Sequence, residues 1–133
     1  MSRNPDLHLI AAMAPEDQRK ISEYSFQVAV CHYAESQGWR VHYARKSGAL
    51  GTDGKWRGSG PRGFPDLVLA KRWKYTVSDV AYDYTRVKYR ELKKEGGQLS
   101  PEQREWAEVL GDLWALWKPR DAKAIIQELG EEL

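Results

Sequence analysis

Hydrophobic positions recur at three- and four-residue spacing in three stretches of the chain and form alternating or solid apolar runs in four others. Between Gln18 and Gln37, the residues Ile21, Tyr24, Val28, Cys31 and Ala34 trace one stripe, which predicts a helix with that face on the core and Gly38 closing it. Trp39 to Ala44 alternates large apolar with polar residues and reads as a strand. Asp66 to Ala70 is a solid apolar run behind Pro65, as a buried strand would be. Tyr84 to Lys93 alternates and forms a third strand, with Tyr75 to Tyr84 a hairpin excursion ahead of it. Ser100-Pro101-Glu102-Gln103 combines an N-cap hydroxyl, a proline suited to the first turn and a capping-box glutamine, which predicts a helix to about Leu110. Leu113 to Trp117 gives a fourth, buried strand. Pro119 opens a last helix to about Leu129, with Ala122, Ile125, Ile126 and Leu129 on its apolar face. The order α-β-β-β-α-β-α predicts an α/β fold, a mixed β-sheet flanked by helices, over residues 18–133. Residues 1–17, broken by Pro5 and Pro15, read as a flexible arm.

The segment between the first two strands, residues 45–65, is too dense in glycine and proline for regular structure. It carries Arg45, Lys46, Lys55, Arg57 and Arg62 against Asp53 alone. The wider charge distribution sharpens this: residues 38–94 are net +9, while residues 1–37 are net −2 and residues 95–133 net −5. A basic centre between acidic ends points to a polyanion-binding face, and strand edges solvated by Lys and Arg are the plainer reading. Lys71, Arg72 and Lys74, around Trp73, fit either. Trp56 either stacks on an unpaired base or anchors the loop by burial.

Several classes fall away. The single Cys31 forms no intrachain disulfide and suits reducing cytosol, so the cytoplasm is the expected compartment, a host's if the chain is viral. One cysteine with His8, His32 and His42 makes no structural zinc site of the usual kind. No apolar run approaches the ~18 residues that span a bilayer, and Leu7 to Ala14 is a poor signal peptide. Gly54-Lys55 lacks the Ser or Thr of a phosphate-binding loop, since Trp56 follows.

The chemistry lies in two short motifs. Pro65-Asp66 heads one predicted strand and Glu91-Leu92-Lys93 ends another. Side chains alternate along a strand, so Glu91 and Lys93 point one way, and Leu92 into the core; Lys94 would point away from Lys93. If the strands pair, Asp66 sits beside Glu91, and two carboxylates with a backbone carbonyl form the all-oxygen site that Mg²⁺ prefers. The neighbouring lysine would stabilise a charged transition state. Glu23 and Gln27 lie i, i+4 on one face of the first helix, and Gln103 and Trp106 lie on the helix that follows Lys93.

Taken in order, Glu23-x-x-x-Gln27, Gly63-Phe64-Pro65-Asp66-Leu67, Glu91-Leu92-Lys93 and Gly97-Gln98-Leu99-Ser100-Pro101-x-Gln103-x-x-Trp106 resemble the VRR-NUC domain, a branch of the PD-(D/E)XK nuclease superfamily. The resemblance covers roughly residues 20 to 129. It implies a restriction-endonuclease-like fold, with Mg²⁺ or Mn²⁺ held by Asp66, Glu91 and the Leu92 carbonyl, and by Glu23 through water. It makes Lys93 the catalytic lysine and gives Gln103 the task of orienting the site. Stand-alone members, often from phage, are similar to Holliday-junction resolvases, so the implied function is a structure-specific DNA endonuclease acting on branched DNA. Gln27, Arg45, Lys46, Lys55, Trp56, Arg57 and Arg62 are the expected DNA contacts. The long basic loop and the extra Lys74–Arg86 segment depart from the family pattern and bear on substrate choice. A catalytically silent nucleic-acid-binding module, or a nuclease for flaps, nicks or single strands, are the alternatives. Two symmetric cuts in a junction would call for a homodimer. Trp73, Tyr75, Val77, Val80, Tyr82 and Tyr84 offer a surface for one, unless that segment packs on its own sheet.

Overall fold

A computed structural model describes residues 4–43, 49–50, 56–57 and 61–131. The elements are helices α1 (Leu7–Ala12), α2 (Pro15–Gln18) and α3 (Glu23–Ser36), strands β1 (Arg40–Tyr43), β2 (Ala49–Leu50), β3 (Trp56–Arg57), β4 (Leu67–Val77) and β5 (Val80–Leu92), then α4 (Pro101–Leu110), β6 (Trp114–Trp117) and α5 (Ala122–Leu129). The main sheet has the order β1-β4-β5-β6, antiparallel except for the parallel β5–β6 pair. Helix α4 provides the crossover that a parallel pair requires. β2 and β3 pair separately.

The mixed sheet flanked by helices follows the predicted order, with informative differences. The first helix begins at Glu23, because the Ser22 hydroxyl accepts a hydrogen bond from the Ser25 N–H (3.0 Å) and caps it there. Residues 15–18 form α2 instead. The buried face of α3 is Phe26, Ala29, Val30, Cys31 and Ala34, rotated from the predicted stripe, and Tyr24 in the first turn is 69% exposed. Burial, then the nearby Glu35 charge, push the Cys31 thiol up to about 11.

Residues 4–17 are not a frayed arm. Asp6 caps α1 by accepting from the Leu9 N–H (2.8 Å), and Leu7 and Ile10 are buried in one cluster with Phe26, Ile125 and Leu129. The Gln18 amide, itself buried, donates to the Ile10 carbonyl (2.9 Å) and ties α2 to α1. Prolines at both ends of so short a helix set its limits without preventing its apolar face from docking.

Opposed residues of an antiparallel pair share a sheet face. Leu67 and Leu69, with Leu92 beyond them, face α1, α3 and α5, where Trp39 also donates its indole N–H to the Leu129 carbonyl (2.9 Å). The other face carries Tyr89 and Glu91 toward α4. β1 covers only residues 67–70 of β4, and β6 only residues 89–92 of β5. Beyond them the two long strands continue as a ribbon that no other strand among the described residues joins, turning at Ser78-Asp79, both with positive φ (50° and 66°). The hairpin expected over Tyr75 to Tyr84 is thus the outer half of β4 and β5 themselves. β6 is an edge strand in which only Trp117 is buried, not the buried strand predicted for it.

Candidate active site

The β4–β5 register pairs Leu67 with Arg90, so one step further Asp66 lies opposite Glu91. The Leu92 N–H donates to Asp66 Oδ2 (2.8 Å), which fixes the carboxylate at the head of β4. Asp66 is 4% exposed and Glu91 0%. Gln103 Nε2 donates to Glu91 Oε1 (2.9 Å), while Gln103 Oε1 accepts from the Ser100 N–H (2.8 Å). One glutamine therefore closes the capping box of α4, as its sequence predicts, and also donates to the acid on β5.

The loop that delivers Asp66 is pressed onto the same helix. A Cβ on Gly63 would meet Glu102 Cβ at 2.6 Å and the Gln103 nitrogen at 2.9 Å, and Gly63 has φ +81°. Only glycine permits this approach. Phe64 then packs edge-on against Trp106 (5.0 Å between centroids) and Tyr89 (6.2 Å). The Gly-Phe-Pro-Asp run, the α4 start and Trp106 form one packed unit around the two acids.

Lys93 follows directly, its N–H donating to the Trp117 carbonyl (3.1 Å). It is half-buried and lines a cleft of about 620 Å³ together with Glu23. The structure so gathers Asp66, Glu91, Leu92 and Gln103 at one point, and Glu23 with Lys93 in a cleft that begins two residues along the chain from Glu91. Gln27 is half-buried one turn beyond Glu23 on α3. Arg62 is exposed and its Nε lies 3.6 Å from Glu102 Oε1. Arg45, Lys46 and Lys55 lie outside the described residues, and for Trp56 and Arg57 only the strand backbone is described.

Lys94 departs from expectation. β5 ends at Leu92, strand alternation ends with it, and Lys94 lines the same cleft as Lys93. Arg19 and Lys20 line it too and were not among the predicted contacts. Their signal was present, as adjacent cations just before the Ser22 cap.

On the opposite sheet face, Glu128 of α5 receives Arg90 Nη2 and Lys88 Nζ, each at 3.0 Å. Burial raises the Glu128 pKa, but those two hydrogen bonds outweigh it and hold the carboxyl below its ordinary range.

No group of three or more His, Cys, Asp or Glu side chains placed to hold a metal occurs among the described residues. No helix among them is long and apolar enough to cross a membrane. Compared with known proteins, the chain matches no family model, no curated protein and no solved structure.

Proposed function

We propose that this protein is a divalent-metal-dependent endonuclease that hydrolyses phosphodiester bonds in DNA, preferring branched substrates such as four-way junctions, in replication or repair. The observation that carries the reading is the opposition of two buried carboxylates, Asp66 and Glu91, braced by Gln103 and leading at once to Lys93 in an open cleft. The ordered motif set that resembles VRR-NUC nucleases supports the same reading and a restriction-endonuclease-like arrangement.

The donor set fits Mg²⁺, or Mn²⁺ in its place, because it is all oxygen: the Asp66 and Glu91 carboxylates and the Leu92 carbonyl, with Glu23 acting through water. When bound, such an ion polarises the phosphate and activates water. The chain's own residues do the rest. Gln103 holds the Glu91 carboxylate in one orientation through its amide. Lys93 places a cation where charge builds on the phosphate oxygens. Glu23, which lines the same cleft as Lys93, would act on the metal through water. A homodimer would supply two symmetric incisions to a two-fold junction, and light scattering at micromolar concentration measures it.

The test is a panel of end-labelled junctions, flaps, nicked duplexes and single strands incubated with Mg²⁺ at stated salt. Junction cutting that vanishes in Asp66→Asn while binding persists is the expected result. Binding with no cutting of any substrate would reduce the protein to a nucleic-acid-binding module.

A further inference from the structure

The cleft beside Lys93 does not end there. A second cleft, about 480 Å³, shares Arg19 as a lining residue and continues past Glu95 and Gly96 to Arg120. The two share Arg19, and Gly96 of one is the chain neighbour of Gly97 of the other, so they adjoin where α2 gives way to α3 and are taken together as one trough.

Five cations line the trough, Arg19, Lys20, Lys93, Lys94 and Arg120, against the acids Glu23 and Glu95. Glu95 is already engaged, accepting from the Arg120 N–H (2.8 Å) with the guanidinium 3.8 Å away. Among the described residues, Lys20 pairs only with exposed Asp17, at 3.7 Å, in a contact worth little in water. Arg19, Lys93 and Lys94 have no ion pair among the described residues. Among the described residues, no aromatic ring lines either cleft.

From this we infer that the trough carries the sugar-phosphate backbone of a nucleic-acid strand leading away from the scissile position, with Arg19, Lys94 and Arg120 as phosphate contacts. The inference rests on the endonuclease reading and adds to it the path of the strand. Contacts of this kind position the substrate and carry no sequence information.

The experiment measures binding of a labelled four-way junction and of a duplex of scrambled sequence by anisotropy, with Ca²⁺ in place of Mg²⁺, over 50–200 mM salt. The proteins are wild type, Arg19→Ala/Lys94→Ala, Arg120→Ala, and Lys123→Ala as a charge-loss control on the exposed side of α5. The double variant is expected to weaken binding to both DNAs alike and to make the logarithmic salt slope shallower by about two units, Arg120→Ala by about one, and the control by none. Unchanged affinity and slope in a double variant that melts like wild type would overturn the trough and leave the endonuclease standing. An equal effect in Lys123→Ala would reduce it to net charge and overturn it too. A wild-type protein that neither binds nor cuts DNA would remove both readings.

Discussion

Asp66 and Glu91 are 4% and 0% exposed, whereas Tyr75, Tyr82 and Tyr84, on the same two strands, are 44–45% exposed. At the first end β1, β6 and the helices cover the sheet, and the chain places acids there. At the other end no further strand among the described residues pairs with the ribbon, and the chain places aromatic and branched apolar pairs: Trp73 with Tyr84, Tyr75 with Tyr82, Val77 with Val80. Tyr75 and Tyr82 stack at 5.1 Å and 12°, and across the ribbon Arg72 donates to Asp83, holding that carboxyl below its ordinary range. Polarity is thus inverted along one hairpin. Stability is served at the exposed end by cross-strand side-chain pairs, while the buried end accepts the cost of enclosing charge.

The contrast can be broken most sharply at the acids. Asp66→Asn and Glu91→Gln are expected to lower Mg²⁺-dependent cleavage by a thousandfold or more, about 4 kcal/mol in barrier, while Tyr75→Ser and Tyr82→Ser leave it within about twofold. Single-turnover rates on a labelled junction decide this, and equal losses at both ends would erase the distinction. Lys93→Ala should cost roughly 10²–10³ in the cleavage step at saturating DNA. Lys94→Ala should change affinity instead, so the two lysines separate in a plot of rate against DNA concentration.

Backbone substitutions sharpen the comparison next. Gly63→Ala drives a methyl into α4 at a positive φ, and a loss of about 2–3 kcal/mol is expected by urea unfolding. The Glu128 contact gives a pH test. Its carboxyl is depressed in the folded state, so its contribution is present above the unfolded value near 4.5 and is lost as pH falls through the lower folded one. Glu128→Gln should therefore flatten the acid side of the melting-temperature profile, and an unchanged acid limb would show the pair to be idle. The smallest effect belongs to the ribbon tip. Ser78→Asn with Asp79→Gly supplies the residues a two-residue turn with positive φ prefers, and a gain of roughly 0.5–1 kcal/mol is expected without loss of cleavage.

Local chemistry made much of this legible. The Ser100–Gln103 capping box, the pairing of Asp66 with Glu91 and the hairpin before Tyr84 all follow from short-range rules. Three features did not. Leu7 and Ile10 offer a single turn of periodicity, and only the distant surface of α5 makes that turn a helix. The α3 face was misread because Ile21 was counted into a helix that Ser22 begins, which shifts the stripe from Tyr24 and Val28 to Phe26 and Val30. Strand alternation does not reach Lys94, which lies two residues past Leu92, where the strand stops.

The seal that α1 forms with α5 also sets an order of events. β4 and β5 close across two residues, a step that takes microseconds. Leu7 and Ile10 must instead find Ile125 and Leu129, more than a hundred positions along the chain, and loop closure over that span comes late. Helix α2 and Arg19 hang on α1 through the Gln18 amide. The wall that would grip phosphates is therefore expected to be the last part of the molecule to assemble during synthesis, and among the first to open under native-state hydrogen exchange.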